Sequence, residues 1–183
     1  KPETKLIYVE TITNPLLDVL DLSAVVSFAN SNNLVSLIDN TFASSVNYRP
    51  IENGFDLSLH SATKYLNGHT DIVAGAVIGS RKLVKEIRGK LNHLGGALDP
   101  NTCFLLHRGI KTLGLRMERQ NYNSLQVATF LSQHPKVKQV NHPGLKINPS
   151  HSRAKDTLDG YGGMVSFEID GSVQDADNFL ANL

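Results

Sequence analysis

Cysteine is almost absent from this chain. The single thiol, Cys103, excludes an internal disulfide and suits a reducing compartment. It sits in the apolar run Cys103-Phe104-Leu105-Leu106, which predicts a buried structural thiol and not a nucleophile. Net charge is nearly absent too: 18 Lys and Arg against 17 Asp and Glu leave +1, so electrostatic capture of nucleic acid or of an anionic membrane is not the expected task. No apolar run reaches the length that spans a bilayer. No G-x-G-x-x-G opens a helix, so Gly68, Gly75 and Gly79 make no dinucleotide fingerprint. His134, His142 and His151 have no compact metal-ligand spacing and no Cys or carboxylate to complete one, so no metal site is expected and all three read as loop histidines. Residue 1 is not methionine, and Val173, Ala176, Leu180 and Leu183 share a helical face where the sequence stops. The expectation is a piece of a longer protein.

What is present is ordinary globular composition: 183 residues, 40% hydrophobic and 19% charged, enough for one domain or one and a fraction. Lys5–Glu10 reads as a buried strand, followed by the loop Thr11-Ile12-Thr13-Asn14-Pro15. Asp21 caps an expected helix that turns Leu22, Val25, Val26 and Ala29 inward. Further strands are expected at Val35–Ile38, Asp56–His60 and Val73–Ile78. Near-continuous apolar strands separated by helices predict a parallel sheet covered on both faces. Lys82, Lys85, Glu86, Arg88 and Lys90 read as a solvated helix face. Asp99-Pro100 starts a helix expected to reach Arg119, and a second one over Asn121–Gln133 uses Leu125, Ala128, Phe130 and Leu131 as core. Val137–Val140 and Met164–Glu168 complete the strands, with a loop at Asn141–Ser152. A domain boundary is expected near Gly114, dividing the chain into 1–113 and 114–183.

Ligands in open α/β sheets bind beyond the carboxyl ends of the strands. Three expected strands end in polar groups: Asn14 follows the first, Asp39 and Thr41 the second, and Ser61, Thr63 and Lys64 the third. Pyridoxal 5′-phosphate (PLP) chemistry uses such a set: a lysine holds the aldehyde as a Schiff base, and a carboxylate keeps the pyridine nitrogen protonated. Hydroxyls beside the lysine can take the phosphate. Taken singly, Asp39-Asn40-Thr41 reads better as a strand-ending turn, and Ser61-Ala62-Thr63-Lys64 better as an ordinary surface turn. Their succession after neighbouring strands is what favours a site.

The segments Glu10–Pro15, Asp39–Ala43 and His60–His69 closely resemble the Cys/Met-metabolism family of PLP enzymes, which includes cystathionine γ-synthase, the cystathionine β- and γ-lyases and methionine γ-lyase. The likeness continues in order through Arg108–Leu113, Arg116–Arg119, His134–Val137 and Gly160–Phe167, and so covers the chain. It implies an α/β, three-layer αβα transferase of fold type I (aspartate-aminotransferase-like), as part of the large PLP-binding domain plus the start of a smaller C-terminal α/β domain. It also implies that Lys64 carries the cofactor and moves protons during turnover, and that Asp39 pairs with the pyridine nitrogen. Ser61 and Thr63 would bind phosphate, Asn14 would bond near the phenolic oxygen or the substrate carboxylate, and Thr41 would support the ring. Arg108 reads as a structural ion pair. Other parts of the family's pocket, the phosphate loop, stacking tyrosine and carboxylate-binding arginine, match no residue of this sequence.

Leu94–Asn101 and Phe167–Gly171 are most similar to plant-type cystathionine γ-synthases, which implies γ-replacement of an O-activated homoserine by cysteine in transsulfuration and methionine biosynthesis. A cystathionine or methionine lyase is the alternative, and a truncated non-catalytic homologue with a dimerisation or regulatory role is a third. The implied partners are small amino-acid substrates and further copies of the chain in a homotetramer, a dimer of dimers. The implied location is cytoplasmic, or the plastid stroma for a plant parent.

Overall fold

The computed structural model describes residues 1–182; Leu183, expected on the last helical face, lies outside the described residues. Four short strands form the larger sheet in the order β1 (Leu6–Glu10), β2 (Val35–Asp39), β3 (Leu57–Ser61) and β4 (Gly75–Gly79). β1, β2 and β3 run parallel, with Glu10 opposite Asp39 and Asp39 opposite Leu59, so these strand ends lie side by side.

The first crossover is helix α1 (Leu22–Ser31), where the Asp21 side chain accepts from the Ala24 N–H as expected of a cap. Leu22 and Ala29 are buried, and Val25 and Val26 pack on the same cluster, as a 3.6-residue repeat requires. The second crossover uses the short helix α2 (Ser44–Asn47) and a 3₁₀ turn at Ile51–Asn53. Ile38 is fully enclosed at the centre of this cluster, with Leu17, Val19, Tyr48 and Phe55 around it.

The parallel sheet expected from the sequence forms from β1, β2 and β3, and its fourth strand departs from it. β4 pairs antiparallel with β3, because no helix carries the chain across the sheet between them. Residues 62–74 instead coil into a loop closed at its base: Thr63 N–H donates to Ala74 O at 3.1 Å, and Ala74 N–H donates to Thr63 Oγ1 at 2.9 Å. Val73, expected in the strand, precedes it and is 83% exposed.

Helix α3 (Arg81–Leu94) buries no residue, in keeping with its charged face. Helix α4 (Pro100–Ile110) starts where expected, with Asp99 accepting from the Asn101 and Thr102 N–H groups. It ends earlier than expected. The Gly109 carbonyl accepts a tightened i+3 bond from the Thr112 N–H at 3.3 Å, and the Arg116 guanidinium at 2.8 Å and Thr112 Oγ1 at 3.3 Å take the place of the i+4 N–H. Helix α5 (Leu113–Ser132) then runs unbroken through Asn121, where a second start was expected. The expected domain division falls at its first turn.

Two side chains depart from expectation for the same reason. Cys103 is exposed, because a four-residue apolar run wraps around a helix and cannot all face inward. Phe130 is 66% exposed while Ala128 is fully buried; two positions on a helix lie roughly 200° apart.

Strands β5 (Val137–Asn141) and β6 (Ser166–Ile169) pair antiparallel in a separate two-stranded sheet packed on α5. Between them, helix α6 (His151–Thr157) begins at the end of the expected loop, and α7 (Val173–Ala181) follows β6 with a Ser172/Asp175 capping box. No helix among the described residues is long and apolar enough to cross a membrane.

Candidate active site

A cleft of about 180 Å³ opens at the carboxyl ends of β1, β2 and β3, the position that ligands take in such sheets. Its lining is Glu10, Ile12, Asn14, Asp39, Thr41, Phe42, Ser61 and Lys64. Five of the six residues singled out from the sequence therefore meet on one surface. The sixth, Thr63, is placed differently: its hydroxyl donates to Ala74 O at 3.3 Å and accepts from Ala74 N–H. In this arrangement Thr63 closes the base of the lysine loop.

Each wall of the cleft is held by its own bonds. Asp39 ends β2, and its Oδ1 accepts from the Thr41 N–H at 2.9 Å. Its Oδ2 has only a long contact with the Tyr8 hydroxyl, 3.4 Å. One carboxylate oxygen is thus fixed and the other is left for a ligand. Burial, with help from the Asp39 and Glu10 charges, pushes the Tyr8 phenol up from its ordinary value, so it is a neutral donor toward Asp39. Thr41 Oγ1 accepts from the Ser61 N–H at 2.8 Å and ties the ends of β2 and β3 together. Asn14 projects from the loop after β1, where its own N–H donates to Glu10 Oε2 at 3.0 Å and its peptide bond to Pro15 is cis.

Lys64 sits one turn beyond β3, with its N–H donating to Ser61 O at 3.0 Å and its carbonyl accepting from Gly68 N–H at 2.7 Å. The turn is anchored from behind by Arg116. That guanidinium donates from Nη1 to Tyr65 O at 2.7 Å, from Nη2 to Gly109 O at 2.8 Å, and from Nε to Thr112 Oγ1 at 3.0 Å. Gly68 has φ +74 and lies directly against the guanidinium, so a Cβ there would collide with it. Arg108 pairs with Asp71 at 3.7 Å on the same loop, the structural role expected of it.

Burial lowers the pKa of His60, just below the cleft, and the Asp39 charge only partly opposes this. Reasoning from the sequence gave no role to Glu10, Ile12 or Phe42. The parallel register could have found Glu10, since the residue opposite Asp39 on the neighbouring strand must share its face.

The donor set fits PLP: a lysine amine, a carboxylate with one weakly held oxygen, an amide and hydroxyls share one cleft. Comparison with known proteins agrees. The model of the Cys/Met metabolism PLP-dependent enzyme family matches residues 1–183. Cystathionine gamma-lyase of Bacillus subtilis is 46% identical over 184 residues, covering all of this chain and 48% of that protein. Chloroplastic cystathionine gamma-synthase 1 of Arabidopsis thaliana is 43% identical over 181 residues, covering 99% of this chain and 32% of that protein. The crystal structure of Xanthomonas oryzae cystathionine gamma synthase, in complex with aminoacrylate and cysteine, superposes with a TM-score of 0.94 at 38% identity over 98% of this chain and 46% of that one. The chain thus spans half or less of the length of these relatives. Its mixed α/β architecture with a largely parallel sheet is that of fold type I, and the chain belongs to the Cys/Met metabolism family of PLP-dependent enzymes.

Proposed function

We propose that this chain supplies the lysine-bearing wall of the PLP site in a sulfur amino-acid enzyme, with cystathionine γ-synthase as the first reading. The observation that carries the proposal is the convergence of Lys64 and Asp39 on one cleft at adjoining strand ends. PLP, when bound, supplies an electron-withdrawing ring that stabilises negative charge at the substrate carbon.

The chain's own residues would do the rest. Lys64 would anchor the cofactor and afterwards carry protons at its Nζ. The weakly held Oδ2 of Asp39 would hold the pyridine N–H, and its fixed Oδ1 would keep the carboxylate from rotating away. Ser61 and Thr63 would take phosphate oxygens, and Thr63 also closes the base of the lysine loop through Ala74. Thr41 would support the ring from the β2–β3 junction, and Asn14 would bond the phenolic oxygen or the substrate carboxylate.

The substrates proposed are an O-activated homoserine and cysteine, joined by γ-replacement in methionine biosynthesis. The stretches Leu94–Asn101 and Phe167–Gly171 support synthase over lyase. The second reading is a cystathionine lyase, favoured by the higher identity to the Bacillus γ-lyase. Assembly as a dimer of dimers is proposed with the activity. The test is to give the complete protein activated homoserine with and without cysteine, and cystathionine in a separate assay. Cystathionine formed only with cysteine supports the synthase; an oxo acid and ammonia from cystathionine support the lyase. No PLP-dependent product from any of these would overturn the enzyme reading.

A further inference from the structure

Residues Gly160–Ser166 touch three separate segments of the cleft, although none of them lines it. On the lysine side, the Gly163 N–H donates to the Tyr65 hydroxyl at 3.0 Å, one residue from Lys64. In the middle, Gly162 passes so close to β2's end that a Cβ would sit 2.6 Å from Phe42 O and 3.7 Å from Ile12 Cδ1, both in the cleft lining. On the other side, the Ser166 hydroxyl donates to Pro15 O at 2.7 Å, one residue from Asn14. The segment is itself fixed to α5: Gly162 N–H donates to Asn121 Oδ1 at 2.9 Å, and Ser124 Oγ donates to Gly162 O at 2.7 Å.

We infer that Gly160–Ser166 is a strap that sets the two walls of the PLP cleft against each other, with Tyr65 as its positioning residue on the lysine side. This rests on the PLP reading of the cleft. The phenol does not reach the cleft lining, so it acts through the backbone of Lys64. Gly163 is held to one place because a side chain there would meet both Gln120 and the Tyr65 hydroxyl. Removing the hydroxyl leaves a part-buried N–H without its acceptor and lets the strap and the lysine turn move apart.

The test uses Tyr65→Phe in the complete protein, with Ser166→Ala as a second variant acting on the opposite wall. The PLP dissociation constant is expected to rise roughly 2- to 12-fold in Tyr65→Phe, the equilibrium effect of losing about one hydrogen bond. The Gly163 amide is expected to exchange faster with solvent deuterium. Ser166→Ala is expected to weaken PLP in the same direction. A lower melting temperature with PLP affinity unchanged within twofold in both variants would overturn the strap. The PLP reading fails differently: there the unsubstituted protein itself binds no PLP, or binds it equally well after Lys64→Ala.

Discussion

Acidification should destabilise this fold through one residue remote from the cleft, His142. Its imidazole is fully enclosed. Nδ1 accepts from the Gly144 N–H at 3.0 Å, which puts the ring proton on Nε2, 3.1 Å from Ser124 Oγ. The Ser124 hydroxyl proton is already given to Gly162 O. A second ring proton would face the Gly144 N–H and carry a buried charge, and burial lowers the pKa from 6.5 to about 4. At about 1.4 kcal/mol per unit, the linked stability is about 3 kcal/mol.

Because the folded pKa is depressed, this stability is fully present above pH 6.5 and is lost as the pH falls toward 4. At pH 5 about 2 kcal/mol should be gone. His60, also lowered by burial, contributes with the same sign, so the difference between proteins is the quantity to measure. Urea unfolding of the native protein and His142→Asn, from pH 7.5 to pH 5, isolates it. Asn keeps an acceptor for Gly144 but does not titrate. The native curve should fall about 2 kcal/mol further than that of the variant. Parallel curves, or an imidazole that titrates near 6.5 by NMR, would refute the reasoning.

The lysine turn makes further outcomes calculable. Gly68→Ala forces a φ of +74 on an L side chain and drives it into Arg116, so urea unfolding should show a loss of about 1–3 kcal/mol. Gly109→Ala would press a methyl into the Asn67 carbonyl, and its melting temperature should fall by more than that of Gly89→Ala, where the space is open. Arg116→Lys keeps the charge but loses the planar fork that serves Tyr65, Gly109 and Thr112; amide exchange at Gly68 should accelerate while β1 and β2 stay protected. Ile38→Ala opens a cavity in a fully enclosed site and should cost about 2–5 kcal/mol of unfolding free energy.

The strands and caps of the first half were legible because local rules decide them. Asp21 and Asp99 cap where short polar side chains precede apolar periodicity. The cleft residues were legible because strand ends and the family motifs coincide there. What escaped was set by contacts distant in sequence. The antiparallel turn of β4 depends on Thr63 meeting Ala74. The break between α4 and α5 depends on Arg116 reaching back to Gly109. Thr63 shows the same limit at the site. A hydroxyl beside a lysine suits a phosphate, but the sequence does not reveal that it also bonds Ala74 across the loop. Cys103 was misplaced because an apolar run is ambiguous until its helix is placed against a neighbour.

The central claim is that Lys64 is the residue that holds PLP, and trapping the cofactor tests it most directly. The complete protein, loaded with PLP and reduced with borohydride, should carry the phosphopyridoxyl group on the peptide containing Lys64, and Lys64→Ala should carry none. A label on any other lysine, or a Lys64→Ala variant that retains the visible absorption of the lysine-bound cofactor, would contradict it.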